Sequence, residues 1–257
     1  MRKMWMSAWL VPLIGALVCG TALAQVKFED PTGDDNGPGE YVYPTDAVYK
    51  AGSFDLTSLE IDTKGKSANV KVSVNSNLED PWGMDVGFSV QMVFVFIDNA
   101  EGGYTDGPPG TNVKFAEGNE WDKCIVLSPQ TSARVKQEVE AKAEAMMDGM
   151  VVPSRTTGSG RTITGRVKLA DLGEGDPATW GYQVIMQSNE GFPSETDLLT
   201  RKVNEFEGQH RYGGGTDYDC DPHVMDILGD HAWLKYECKP DGTPVKMATL
   251  KMVKPGS

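Results

Sequence analysis

The chain has 257 residues, with 24 Lys and Arg against 37 Asp and Glu and a net charge of −13. A surface this acidic repels a polyanion, which excludes nucleic acid as a partner. The length suffices for one large β domain or two small ones with a real core.

In chain order, residues 1–24 read as a signal peptide. Arg2 and Lys3 supply the positive start, Leu10 to Val18 the apolar centre, and Ala22-Leu23-Ala24 a small-residue cleavage site. The apolar run is too short for a membrane span, and no later stretch approaches one. A secreted or periplasmic location is therefore expected, with residues 25–257 as a single mature domain. Loss of Arg2 and Lys3 takes the net charge from −13 to −15.

Directly behind the leader lies Asp30-Pro31-Thr32-Gly33-Asp34-Asp35-Asn36-Gly37-Pro38-Gly39, a turn-rich loop dense in oxygen donors. Calcium takes donors of this kind. Asp30, Asp34 and Asp35 are the expected ligands, because carboxylates crowded together repel unless a cation joins them. A second acidic loop, Asp217-Tyr218-Asp219-Cys220-Asp221, has glycines before it and a proline after it. It offers Asp217 and Asp219 as further ligands if the two loops converge. Neither loop has EF-hand spacing.

Beyond the first loop, short apolar runs alternate with turn residues, the pattern of an all-β sandwich. Strands are expected at 53–61, 68–75, 88–98, 121–127, 161–169, 180–188, 232–238 and 245–253. The run Val90-Gln91-Met92-Val93-Phe94-Val95-Phe96-Ile97 is apolar on both faces and reads as a central strand, whereas Val70-Lys71-Val72-Ser73-Val74 alternates and keeps one face wet. One α-helix is expected to interrupt the strands over 130–147, opened by Ser128-Pro129 and carrying Val135, Val139 and Met146 on its apolar face. Of the four cysteines, Cys19 belongs to the leader, Cys220 and Cys238 are expected to form a disulfide, and Cys124 sits in an apolar run as a buried thiol. The chain has no Cys-x-x-Cys, no zinc-helix histidine spacing and no Gly-x-Ser-x-Gly.

Several segments in order resemble a known family: the acidic loop continued by Glu40-Tyr41-Val42-Tyr43-Pro44, then Gly52-Ser53-Phe54-Asp55-Leu56, residues 77–82, Phe94-Val95-Phe96-Ile97-Asp98, Trp121-Asp122 and Trp180-Gly181-Tyr182, and lastly Arg211-Tyr212-Gly213-Gly214-Gly215 with Asp221-Pro222-His223-Val224-Met225-Asp226-Ile227-Leu228. Together they make residues 26–229 similar to the DOMON-like C-terminal module of glucodextranase and related secreted glycoside hydrolases. The resemblance implies an immunoglobulin-like β-sandwich that binds carbohydrate or a cell-surface glycan without catalysis. Sugar faces need exposed aromatic platforms, and Trp82, Tyr104 and Trp121 are the candidates, with Trp180 and Trp233 assigned to strands.

The same resemblance carries two alternatives. One is a haem-b carrier of the wider DOMON fold, drawing on Met84, Met92 or Met186 with His210 or His223. The other is an interaction protein of the cell envelope.

Overall fold

A computed structural model describes residues 25–256, so the leader lies outside the described residues. Two five-stranded sheets stack face to face. The first runs Gln25–Glu29, Leu56–Lys64, Ser67–Val74, Thr162–Lys168, Thr156–Ser159 in spatial order, every neighbour antiparallel. The second runs Asp226–Ile227, Gly181–Ser188, Gln91–Asp98, Lys123–Leu127, Met150–Val151, antiparallel except for the last pair.

Burial follows from the sequence period. Along Ser67–Val74 every second residue is buried, because Ala68, Val70, Val72 and Val74 face the opposing sheet while the residues between them face outward. Along Gln91–Asp98 all residues but the last are buried. Val93, Val95 and Ile97 enter the core between the sheets, and Met92, Phe94 and Phe96 enter a second core on the opposite face. That second core is roofed by the helix Ser132–Lys142 through Val135 and Val139, and by the parallel pair Val113–Phe115 and Ala248–Leu250. The molecule is thus a sandwich with a third, partly helical layer.

The helix is shorter than expected. Thr131, rather than Ser128, caps it by accepting from the Arg134 amide, and the chain tightens into a 3₁₀ turn over Glu144–Gly149. The expected strand at 232–238 is also replaced. Asp230 accepts the Ala232 amide and starts a 3₁₀ turn, His231–Leu234, leaving the two-residue strand Glu237–Cys238 paired with Pro244–Lys246. Cys220 and Cys238 form a disulfide, and Cys124 is free and buried.

Trp121 was expected to be a sugar platform and is not. It is fully buried, its indole nitrogen donating to the Asp106 carbonyl at 2.9 Å and its ring packed 5.5 Å from Phe96. Burial of so large an apolar ring outweighs its exposure to a ligand. Trp121→Ala should therefore cost about 3–5 kcal/mol in urea unfolding. A cost near zero would return the ring to the surface.

Candidate functional site

An aromatic cluster extends the core outward at one end of the sandwich. Phe54, Tyr49 and Tyr212 are buried, with the Tyr212 ring edge-on to Phe54 at 5.5 Å and to Tyr49 at 6.1 Å. Tyr49 in turn supports two rings near the surface, Trp82 at 6.2 Å and His210 at 5.9 Å. Trp82 is positioned by a turn in which both Asp80 carboxylate oxygens accept backbone amides, from Met84 and Asp85, each at 2.8 Å. Its ring is half-buried, so it presents a face while its back is packed.

Trp82 lines a groove of about 480 Å³ together with Phe192, which is 95% exposed. Such a volume lies within the range of ligand pockets. The polar lining comes from Gln130, Arg134, Glu190 and Arg201. These groups are held in place. Arg134 donates to the Gly191 carbonyl at 2.6 Å, Gln130 to Asn189 at 3.3 Å, and Arg201 pairs with Glu190 at 3.1 Å while donating to the His210 carbonyl at 2.5 Å.

Trp82 is therefore where sequence reasoning placed it, in company it did not foresee. Phe192 sits in Gly191-Phe192-Pro193, the same signature of an aromatic between Gly and Pro that marks Trp82. Tyr104 is elsewhere. It stacks on Trp121 at 4.5 Å and lines a separate depression with Asn99, Asp122 and Glu174. Of the residues considered for haem, Met92 and Met186 are buried in the two cores, and His223 is buried with Nδ1 accepting the Val203 amide at 3.2 Å. Met84 and His210 both line the groove.

The acidic loop forms a second site. Its path is fixed by Gly37, whose amide donates to the Met225 carbonyl at 2.8 Å. At φ +60° a side chain there would strike the Tyr41 ring and come within 2.9 Å of the Val224 carbonyl. The loop is thereby held against the C-terminal segment. Ligand atoms of Asp34, Asp226 and His231 lie within 4.8 Å of one another. Asp226 is completely buried. Its carboxylate accepts the amides of Leu56 and Ile227, both at 2.6 Å, and faces His231 Nε2 at 2.7 Å. Asp30 Oδ1 accepts the Gly229 amide at 2.8 Å, which ties the start of the loop to the same C-terminal segment. Two further oxygens, Asp30 Oδ2 and Asp34 Oδ1, are buried without a hydrogen-bond partner.

Charges in such a place are perturbed. Burial, with repulsion from Asp226 and Asp34, pushes Asp30 up to about 8, and burial pushes Asp226 up to about 6. Burial disfavours the His231 cation, but the hydrogen bond and charge of Asp226 outweigh it and lift His231 to about 9.

The other expected ligands are committed elsewhere. Asp35 accepts from the Tyr43 hydroxyl, Asp217 from the Glu205 amide at 3.2 Å, and Asp219 pairs with Lys202 at 2.6 Å and lies 3.7 Å from His223. The second acidic loop therefore does not supply the partner of the first. Asp226 and His231 do, and sequence reasoning missed both. The orphaned oxygens of Asp30 and Asp34 fit a cation, but the donor set around them is mixed oxygen and nitrogen rather than the six to eight oxygens that calcium takes.

A family model described as the SLH-like C-terminal binding module of glucodextranase matches residues 26–249. No curated protein matches the chain.

Asp226→Ala should lower stability by about 3 kcal/mol or more in chemical denaturation, because it strands two buried amides and an imidazole. Asp217→Ala, on an exposed loop, should leave the midpoint unchanged. Equal effects would mean that the two acidic segments are equivalent.

Proposed function

Starting from the fact that this chain belongs to the family of SLH-like C-terminal binding modules of glucodextranase, we propose that it is a non-catalytic carbohydrate-binding protein that acts outside the cytoplasm, after cleavage near Ala24, on a glycan or cell-surface polysaccharide. The observation that carries this reading is the groove lined by both Trp82 and the exposed Phe192 together with fixed polar groups. A pyranose ring has an apolar face and a rim of hydroxyls, and these are the two surfaces such a groove satisfies. Gln130, Arg134 and Glu190 are the hydroxyl partners in this reading.

Catalysis is not part of it. Glycoside hydrolysis uses two carboxylic acids flanking the bond. Among the described residues lining the groove beside Trp82, Glu190 is the one carboxylate, and it is tied to Arg201. A cation at the acidic loop belongs to the same reading as a brace, and calcium is the ion its carboxylates alone would take. By binding only the folded state, it would add stability in proportion to RT ln(1 + [L]/Kd).

The test is isothermal titration or affinity electrophoresis with soluble α-glucans. Trp82→Ala and Phe192→Ala should each weaken binding about tenfold, equivalent to about 1.4 kcal/mol. Phe192→Ala should do so with an unchanged melting temperature, since its ring is almost fully exposed. Unaltered retention of both variants would remove the groove from the function. The purified protein should also lack a strong visible absorption band; a band would favour the haem alternative through Met84 and His210.

A further inference from the structure

The imidazole in the acidic cluster changes which ion the site suits. His231 Nδ1 lies 3.0 Å from the Gly37 carbonyl. A carbonyl only accepts, so this nitrogen carries a hydrogen and donates it. The other nitrogen, Nε2, is aimed at carboxylates: Asp226 Oδ1 at 2.7 Å and Asp34 Oδ2 at 3.8 Å. A nitrogen 2.7 Å from a carboxylate oxygen carries a hydrogen as well, so His231 is held here as a cation; a metal ion would take the place of the Nε2 proton and leave Nδ1 on its carbonyl, the orientation of a metal ligand.

The second observation is independent of the histidine. Asp30 is nine-tenths buried, and its Oδ2 has no hydrogen-bond partner. Asp34 Oδ1 is buried and partnerless as well. Buried oxygens of this kind are normally satisfied. Two carboxylates, of Asp34 and Asp226, are faced by the single imidazole of His231.

The geometry points to a zinc-class divalent transition-metal site in which Asp34, Asp226 and Nε2 of His231 are the ligands, their donor atoms lying within 4.8 Å of one another, with a fourth position left to solvent. Two carboxylates and one imidazole match the donor preference of Zn²⁺, which at open sites takes three protein ligands and one solvent molecule. Calcium needs more oxygens, and three of the loop's backbone carbonyls are already engaged. The Asp34 carbonyl accepts from the Asn36 amide, that of Asn36 from the Gly39 and Tyr41 amides, and that of Gly37 faces the histidine.

Such an ion would clasp the two ends of the fold. Asp30 follows directly on the first strand, Gln25–Glu29, and Gly229, which it meets, is 199 positions away. This inference rests on the proposal that the acidic loop takes a cation, and not on glycan binding.

The experiment uses the full mature chain stripped with a chelator, then titrated calorimetrically with Zn²⁺, Mn²⁺ and Ca²⁺ separately, with thermal melts alongside. Zn²⁺ should bind one to one, at least 100-fold more tightly than Ca²⁺, and raise the melting temperature. His231→Gln and Asp34→Asn should each cut zinc affinity at least 100-fold, and Asp34, being only partly buried, provides a variant that folds if His231→Gln does not. Calcium binding alone, or zinc binding unmoved by both substitutions, would overturn the assignment. No binding of any ion would overturn both it and the brace. Glucan retention measured on the stripped protein reads the groove by itself.

Discussion

Because residues 91–98 carry apolar side chains on both faces, the strand they form has to be covered on both sides, and much of the architecture follows from meeting that demand. One cover is the opposing sheet, whose inward side chains alternate and so leave a wetted outer surface. The other is assembled from pieces with little regular structure of their own: an eleven-residue helix, two three-residue strands from distant parts of the chain, and loops. The elements that make the third layer are therefore set by burial of Met92, Phe94 and Phe96 more than by local propensity. The helix also brings Arg134 to the groove, so covering the central strand and building one wall of the candidate binding site are the same event.

The groove inherits its stiffness from the core. Trp82 does not stand alone on a loop, since its ring backs onto Tyr49, which packs with Phe54 and Tyr212 deep in the fold. A platform so supported loses little conformational freedom when a ligand arrives. Phe192 is different. It is held by its backbone, whose amide donates to Glu190, and not by packing of its ring. One wall is thus rigid and the other free to adjust its side chain, a division that suits a ligand with one preferred face and variable substituents.

Legibility of the fold in the sequence follows how much of each signal is local. The strand Ser67–Val74 was readable because its burial repeats the alternation of the chain itself, and Gln91–Asp98 because a continuous apolar run between turn residues marks a strand covered on both faces. The segment 232–238 was not, because a short apolar run does not distinguish a strand from a turn, and the Asp230 side chain decides it by capping. Trp121 misled for a related reason: the sequence shows an aromatic at a strand start but not what packs over it. The acidic cluster was half legible. Asp30 and Asp34 stand in an obvious loop, whereas Asp226 lies between Met225 and Ile227, where a strand residue of the core is expected. Its signal is the anomaly itself, since a carboxylate in an apolar run must find partners or neutralise.

Asp226 and His231 also share a covalent circumstance. Both lie inside the loop closed by the Cys220–Cys238 disulfide, whose ends are 18 positions apart. Closing a loop of that size removes about 3 kcal/mol of chain entropy from the unfolded state. The same closure restricts where the carboxylate and imidazole can travel, so one half of the acidic cluster is preassembled by the bond. The other half, Asp30 and Asp34, is brought in by the first strand and by the contact of Gly37 with the chain at Val224 and Met225. Neither half is sufficient without the other. Asp226 accepts the Leu56 amide, so the cluster also fixes the start of the second strand of the outer sheet. A charge imbalance at this point is consequently felt by the disulfide loop, the N-terminal strand and the sheet edge together, which explains why so costly a group is kept buried there.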